Sequence, residues 1–148
     1  MKLVDKMKDE NLGLAILYNF TKGYGHVPMS VYDVVLPFLY HDGFRNHLFE
    51  GVEVEEALTK CVQEDASFIQ NILDTIEKDK EMTSRALGIC LLNKYLSFEF
   101  EDNEMKGIYH ESSILDINEA INLGKFFSGK SYEDILNILK KKSSCLFR

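Results

Sequence analysis

The sequence has no tryptophan, two prolines and three cysteines in 148 residues. With so little proline, and only nine glycines, a collagen-like, low-complexity or broadly disordered chain is excluded. Cys61, Cys90 and Cys145 are odd in number and widely spaced. They argue against a disulfide framework or a zinc cluster and read as reduced thiols of a cytoplasmic protein. No apolar run approaches the roughly 20 residues of a membrane span. The opening MKLVDKMKDE alternates charge with apolar residues and lacks the unbroken apolar stretch of a signal peptide. Cations are also in deficit: 17 Lys and Arg face 24 Asp and Glu, a formal charge of −7. Such a chain is repelled by bulk DNA and anionic membranes unless its cations gather on one face.

What is present is material for a core. Hydrophobic residues make up 45% of the chain, with ten Phe and seven Tyr. A domain of this length buries roughly 70% of its unfolded surface, so residues 1–148 are read as one compact domain. Residues 10–24 form a helix pattern apolar on nearly all sides, ended by Gly23-Tyr24-Gly25. Ser30–His41 reads as a second helix with Ser30 as N-cap, kinked or split by Pro37. Asp42–Gly51 reads as a turn and a short helix. Val54–Gln63, Asp65–Lys78 and Thr83–Tyr95 carry apolar residues at helical spacing, Thr83 standing as a cap. The period then falls to two: Leu96, Phe98 and Phe100 alternate with Ser97, Glu99 and Glu101. A turn at Asp102-Asn103-Glu104 returns the chain as a second strand, Met105–His110. The last third is helical again. Ser131 caps a final helix, and Lys140–Lys142 stand at its C-terminus, where the helix dipole favours cations. The fold class is therefore α+β, mostly helical. Its helices followed by one hairpin at about 96–110 follow the order of a winged helix, with additional N- and C-terminal helices.

Three motifs carry possible chemistry. Gly124–Ser131 (GKFFSGKS) matches the phosphate-loop pattern G-x-x-x-x-G-K-[ST]. Yet a helical pattern, not a strand, precedes it, and two Phe occupy the loop interior. The bland reading is a glycine between two helices, with Phe126 and Phe127 in the core. His41-Asp42-Gly43-Phe44-Arg45-Asn46-His47 gathers polar groups, but its two His are six residues apart and fall on different sides of a helix. The bland reading has His41 complementing a helix C-terminus and Arg45 in a salt bridge. No nucleophile elbow, H-E-x-x-H or zinc-spaced cysteine pair occurs, so no catalytic residue, cofactor or metal site is assigned. If the hairpin is a wing, it is an acidic one: Glu99, Glu101, Asp102 and Glu104 against Lys106. The helix before it offers Lys78, Lys80, Arg85, Asn93 and Lys94. A wing that reads DNA is normally basic. Protein is thus the expected partner, with a winged-helix DNA-binding transcription regulator as the alternative and a small nucleotide-binding enzyme using Gly124–Ser131 as the third reading.

Four segments together resemble one family. They contain Gly23-Tyr24 after the first helix, Leu36-Pro37 followed by His41, Arg85-Ala86-Leu87 leading into the hairpin, and Leu123-Gly124-Lys125-Phe126-Phe127 near the end. Their order and content resemble the middle component of bacterial three-component ABC systems, which include the Lamassu-type anti-phage systems, over about residues 10–140. Asn11 is followed by Leu12 where the family often has proline, and Lys125-Phe126 stands for the commoner Arg-Trp. The resemblance implies a non-enzymatic adaptor subunit. It would sit between a DNA-sensing ATPase of the structural-maintenance-of-chromosomes (SMC) type and a nuclease-type effector, and meet DNA only through that complex.

The helix at 10–24 and the run Val31–Tyr40 are apolar nearly all round, and burying both completely is hard in a chain this size. Some of this surface is expected to be left for a partner. Tyr24, Phe38, Tyr40 and Phe44 are the expected anchors, since aromatic residues carry much interface energy. The alternative is that these four simply complete the core.

Overall fold

The computed structural model describes residues 10–146. Among them lie seven α-helices and a three-stranded antiparallel sheet, a mostly helical α+β fold. Helix α1 (Glu10–Tyr24) stops at Gly25, whose φ of +107° suits glycine and whose N–H reaches Thr21 O at 2.8 Å. Two residues, Val27–Pro28, then form β1. A 3₁₀ segment (Met29–Val34) leads into α2 (Val35–Tyr40), followed by α3 (Asp42–Phe49) and α4 (Val54–Glu64). The long α5 (Phe68–Leu92) leads into the hairpin β2 (Leu96–Glu101) and β3 (Glu104–Tyr109). Helices α6 (Asn118–Phe127) and α7 (Tyr132–Leu146) complete the described chain.

Several boundaries differ from the sequence reading, each for a physical reason. The expected helix 30–41 is split, but at Val34 and not at Pro37. Pro37 lies in the first turn of α2, where a backbone N–H has no intrahelical partner to lose. Ser30 caps nothing; Pro28 precedes the 3₁₀ segment without a side-chain cap. The expected helices 65–78 and 83–95 are one helix of 25 residues. Its buried stripe runs Ile69, Ile72, Ile76, Asp79, Thr83, Ala86, Cys90, stepping three and four residues without a break. Two stripe positions are polar, which hides the continuity, and neither glycine nor proline interrupts residues 79–82. The helix ends at Leu92, and Lys94, with φ +60°, turns the chain into β2 while Tyr95 N–H reaches back to Cys90 O at 2.9 Å. Lys140–Lys142 lie inside α7, not at its end, because the helix continues to Leu146.

The sheet order is β1–β3–β2. Asp102 and Asn103, both at positive φ (52° and 66°), make the two-residue turn of the hairpin. On the other side of β3, Val27 pairs with Gly107 and Pro28 with Lys106. Gly107 is required here: a Cβ on it would overlap the Tyr32 hydroxyl and stand 2.9 Å from ring carbon Cζ. Ser131 caps α7 as expected, its Oγ accepting from Asp134 N–H at 3.1 Å while the Asp134 carboxylate accepts from Ser131 N–H at 3.0 Å.

The core is built around α1 and α2. Helix α1 packs most extensively on α6, and their backbones approach closely at two glycines, Gly23 and Gly124. Phe38 of α2 meets the rings of Phe44, Phe127 and Phe68 at centroid distances of 5.2, 5.7 and 6.5 Å. Buried polar groups on α1 are tied in, Asn19 Oδ1 excepted. Thr21 Oγ1 donates to Leu17 O at 2.8 Å and lies 2.7 Å from Tyr32 Oη. Asn19 Nδ2 donates to Leu115 O at 3.0 Å, and Tyr18 Oη to His110 O at 2.6 Å, fixing the connection between β3 and α6.

Candidate functional site

The Gly124–Ser131 match is a structural corner. Gly124 lies within α6, facing α1, where a Cβ would overlap Phe20 O and stand 2.8 Å from Tyr24 N. Lys130 Nζ folds back onto Phe126 O at 3.0 Å and lies 5.4 Å from the centre of the Phe126 ring. Ser131 is engaged in capping α7. Tyr24 Oη donates to Lys130 O at 2.6 Å, and Ser128 Oγ to Tyr24 O at 2.8 Å. The lysine, the serine and the surrounding backbone are all committed to joining α6, α7 and the end of α1. A phosphate-binding loop needs these donors to converge on an empty cradle.

The polar stretch at 41–47 is likewise absorbed by local structure. His41 caps the N-terminus of α3: its Nδ1 accepts from Phe44 N–H at 3.1 Å. The sequence reading had this histidine complementing a helix C-terminus, the opposite polarity. An acceptor must be neutral, and burial does hold His41 below the usual imidazole range, aided by Arg45 and opposed by Asp65 and Asp42. Arg45 makes the expected salt bridge, 2.7 Å to Asp42, and adds a hydrogen bond to Leu39 O. His47 lies elsewhere, 2.5 Å from Glu64 of α4. Among the described residues no group of three His, Cys, Asp or Glu could hold a metal ion. Cys61 and Cys90 are buried, and burial pushes both thiols up to about 12, so thiolate chemistry is suppressed at neutral pH.

Tyr24, Phe38, Tyr40 and Phe44 are all core residues of this chain. Phe38 and Phe44 are fully buried, and Tyr24 and Tyr40 keep 9% and 8% of their surface. The apolar run Val31–Tyr40 is covered almost entirely; only its polar Asp33 is half-buried. The run packs against α1, α3, α5 and α6, so the chain by itself leaves little of it exposed.

The uncovered apolar surface lies at other positions. Phe49 at the end of α3, Leu115 before α6, Leu92 at the end of α5, and the hairpin residues Phe100 and Met105 are exposed. An apolar groove of about 340 Å³ between α1, α2, α3 and α6 is lined by Leu12, Ile16, Leu39, Phe49 and Ile117, with Arg45 and Glu119 at its rim. Composition did not reveal these. Phe100 could have been found: it continues the alternation of Leu96 and Phe98 into a turn that has nothing to pack on.

Two of the four cations expected on a reading helix are engaged with acids. Lys80 lies 3.1 Å from Glu77, and Arg85 3.5 Å from Glu81. In the hairpin Lys106 lies 3.2 Å from Asp102, and His26 bonds to Glu101 at 3.0 Å. No helix among the described residues is long and apolar enough to cross a membrane.

These features define a mostly helical α+β fold whose polar motifs are spent on caps and helix crossings and which exposes apolar side chains at Phe49, Leu92, Phe100 and Leu115. The family model of the ABC-three component (ABC-3C) system Middle Component 3 matches residues 12–142, and the chain belongs to that family. No curated protein and no solved structure gives a match.

Proposed function

We propose that the chain is a non-catalytic adaptor that bridges an SMC-like, DNA-sensing ATPase and a nuclease-type effector in an anti-phage or anti-plasmid defence complex. The observation that carries this reading is membership of the middle-component family across nearly the whole chain. A middle component of a multi-component system has partner subunits. The residue groups that suggested chemistry, Gly124–Ser131 and His41–His47, are occupied with internal hydrogen bonds, which favours an architectural role. The −7 charge suits basic partner surfaces. A winged-helix-like core is part of the proposal, supported by the order helix, strand, helices, hairpin and by a third strand that joins the hairpin on the β3 side. The acidic hairpin and the pairing of Lys80 and Arg85 with acids weigh against the DNA-binding regulator. Within the aromatic set, docking reduces to the rims of Tyr24 and Tyr40, since Phe38 and Phe44 have no surface to offer.

The test is co-expression with the products of the adjacent genes, followed by affinity purification through a tag on this chain. The expected result is one complex containing a large coiled-coil ATPase and an effector, which fall apart when this chain is omitted. An ATPase and effector that associate equally well without it would refute the bridging role.

A further inference from the structure

The outer edge of the hairpin has the features of a docking strand. In the order β1–β3–β2, strand β2 is paired on one side only among the described residues. A two-residue turn closes on a hydrogen-bonded pair, here Glu101 and Glu104, and such pairs alternate along an antiparallel ladder. Ser97, Glu99 and Glu101 therefore direct their backbone groups at β3. The bond from His110 N–H to Tyr95 O, 2.9 Å, continues the same parity. Leu96, Phe98 and Phe100 then direct their N–H and C=O groups outward. The other side of the sheet agrees: Gly107, opposite Phe98, turns its backbone to Val27, while Pro28, which has no N–H to give, falls at a position that needs none.

The two faces of β2 are chemically distinct. Phe100, 68% exposed, stands beside its cross-strand neighbour Met105, 42% exposed, with half-buried Phe98 next along the same face. The opposite face carries Glu99 and Glu101, with Glu104 across from Glu101; Lys106, across from Glu99, is drawn to Asp102, and His26 bonds to Glu101, so Glu99 is the acid left most available to a cation. A strand added to this edge would set its own alternate side chains beside these two rows.

We propose that β2 receives an extended segment of a partner protein whose residues alternate basic and apolar, the cations facing Glu99 and Glu101 and the apolar side chains facing Phe98 and Phe100. Charge weighs against a second copy of this chain as the occupant, because self-pairing of β2 centred on Glu99 or Phe100 would set Glu99 against Glu99 or Glu101 of the other copy. The segment belongs to one of the partners invoked by the adaptor reading and rests on that reading for its biology, but the surface is testable without it.

The probe is a synthetic peptide of eight residues alternating Lys and Val, added to the full chain and followed by amide hydrogen exchange. The expected result is slowed exchange at Phe98 and Phe100, weakened by added salt, and absent with a Glu–Val peptide or a Lys–Gly peptide. Phe100→Pro removes one outward donor and one aromatic contact, and should weaken peptide binding at least about tenfold. Glu99→Lys should weaken it while leaving the chain folded by circular dichroism. Protection at the helices in place of β2, equal binding of the Glu–Val peptide, or no effect of Phe100→Pro in a folded chain would overturn the proposal. So would a dimer of the chain alone that protects the same two amides. In the co-expressed complex, a Phe100→Pro chain that assembles like the wild type would remove this edge as a docking strand and leave the adaptor reading standing. If the wild-type chain recovers no partners, the adaptor reading fails while the peptide experiment still decides the surface.

Discussion

Substitution of Gly124 by alanine tests the frame of the molecule. The added methyl would overlap Phe20 O, stand 2.8 Å from Tyr24 N, and come within 3.2 Å of Gly23 C. All three are backbone atoms of α1, so no side-chain rotation relieves them; α1 and α6 must separate. Overpacking of this kind costs about 1–3 kcal/mol and occasionally more. Because every one of these contacts is with backbone, the cost falls at the upper end of that range, about 3 kcal/mol. Alanine returns about 1 kcal/mol in helix propensity. The net loss is about 2 kcal/mol, which lowers the melting temperature by roughly 4–8 °C in a chain of this size. Gly88 supplies the control: it lies in α5 with nothing within 4 Å of an added Cβ, so Gly88→Ala should stabilise by about 0.5–1 kcal/mol. Gly23→Ala, whose methyl would overlap Ile121 O, should resemble Gly124→Ala. The double variant should cost less than the sum, since one separation of the helices relieves both clashes. Thermal and urea melts followed by far-ultraviolet circular dichroism read all four. Gly124→Ala melting at or above wild type, with Gly88→Ala behaving as expected, would refute the close α1–α6 crossing.

Protonation of His41 should uncap α3. Its folded pKa lies below the unfolded value, so the unfolded chain binds more protons as the solution acidifies, and stability is lost as pH falls from about 6.5 through the folded pKa. His41→Asn, which keeps an acceptor for Phe44 N–H, should flatten that part of the profile in melts from pH 8 to about 5; an unchanged slope would remove His41 from the account. Lys130→Ala should cost under about 1 kcal/mol, the loss of one helix C-terminal contact, and leave any ATPase activity of the assembled complex unchanged, which steady-state phosphate release would check. Cys61 and Cys90 should resist alkylation by iodoacetamide in the native chain and react once it is unfolded, as peptide mass mapping would show; fast native labelling of either would contradict its burial.

Much of the fold was legible where one period ran without interruption. Helix α1, α4 and the hairpin were placed within a residue or two because their apolar spacing is regular and their ends are marked by glycine or a turn. Helix α5 was read as two because Asp79 and Thr83 occupy core positions with polar side chains, and pattern reading treats a polar residue as a boundary. Strand β1 was not legible at all. Two residues carry no period, and what makes Val27–Pro28 a strand is Gly107, eighty residues away, made approachable by its lack of a side chain. The aromatic anchors show the other limit. Hydrophobicity selected Phe38 and Phe44, but only packing decides which of ten Phe and seven Tyr are enclosed. Phe49 and Phe100, no more apolar than the others, are the ones left outside.

The residues that carry the family resemblance are mostly the ones that hold the frame. Gly23 and Gly124 let α1 and α6 touch, Tyr24 ties α1 to the corner before α7, His41 starts α3, and Ala86 and Leu87 are buried on α5. Such residues define a shape that related chains can share, yet buried side chains cannot discriminate between partners. Discrimination requires groups that change environment on binding, because only they contribute a difference in free energy between the right and the wrong partner. Exposed groups of this chain include Phe49 beside its groove and the two-faced edge of β2, the latter being the surface proposed for docking. Exchange of the frame residues should therefore change stability first and binding only through it. Exchange of Glu99 or Phe100 should do the reverse, which separates the two roles within a single set of variants.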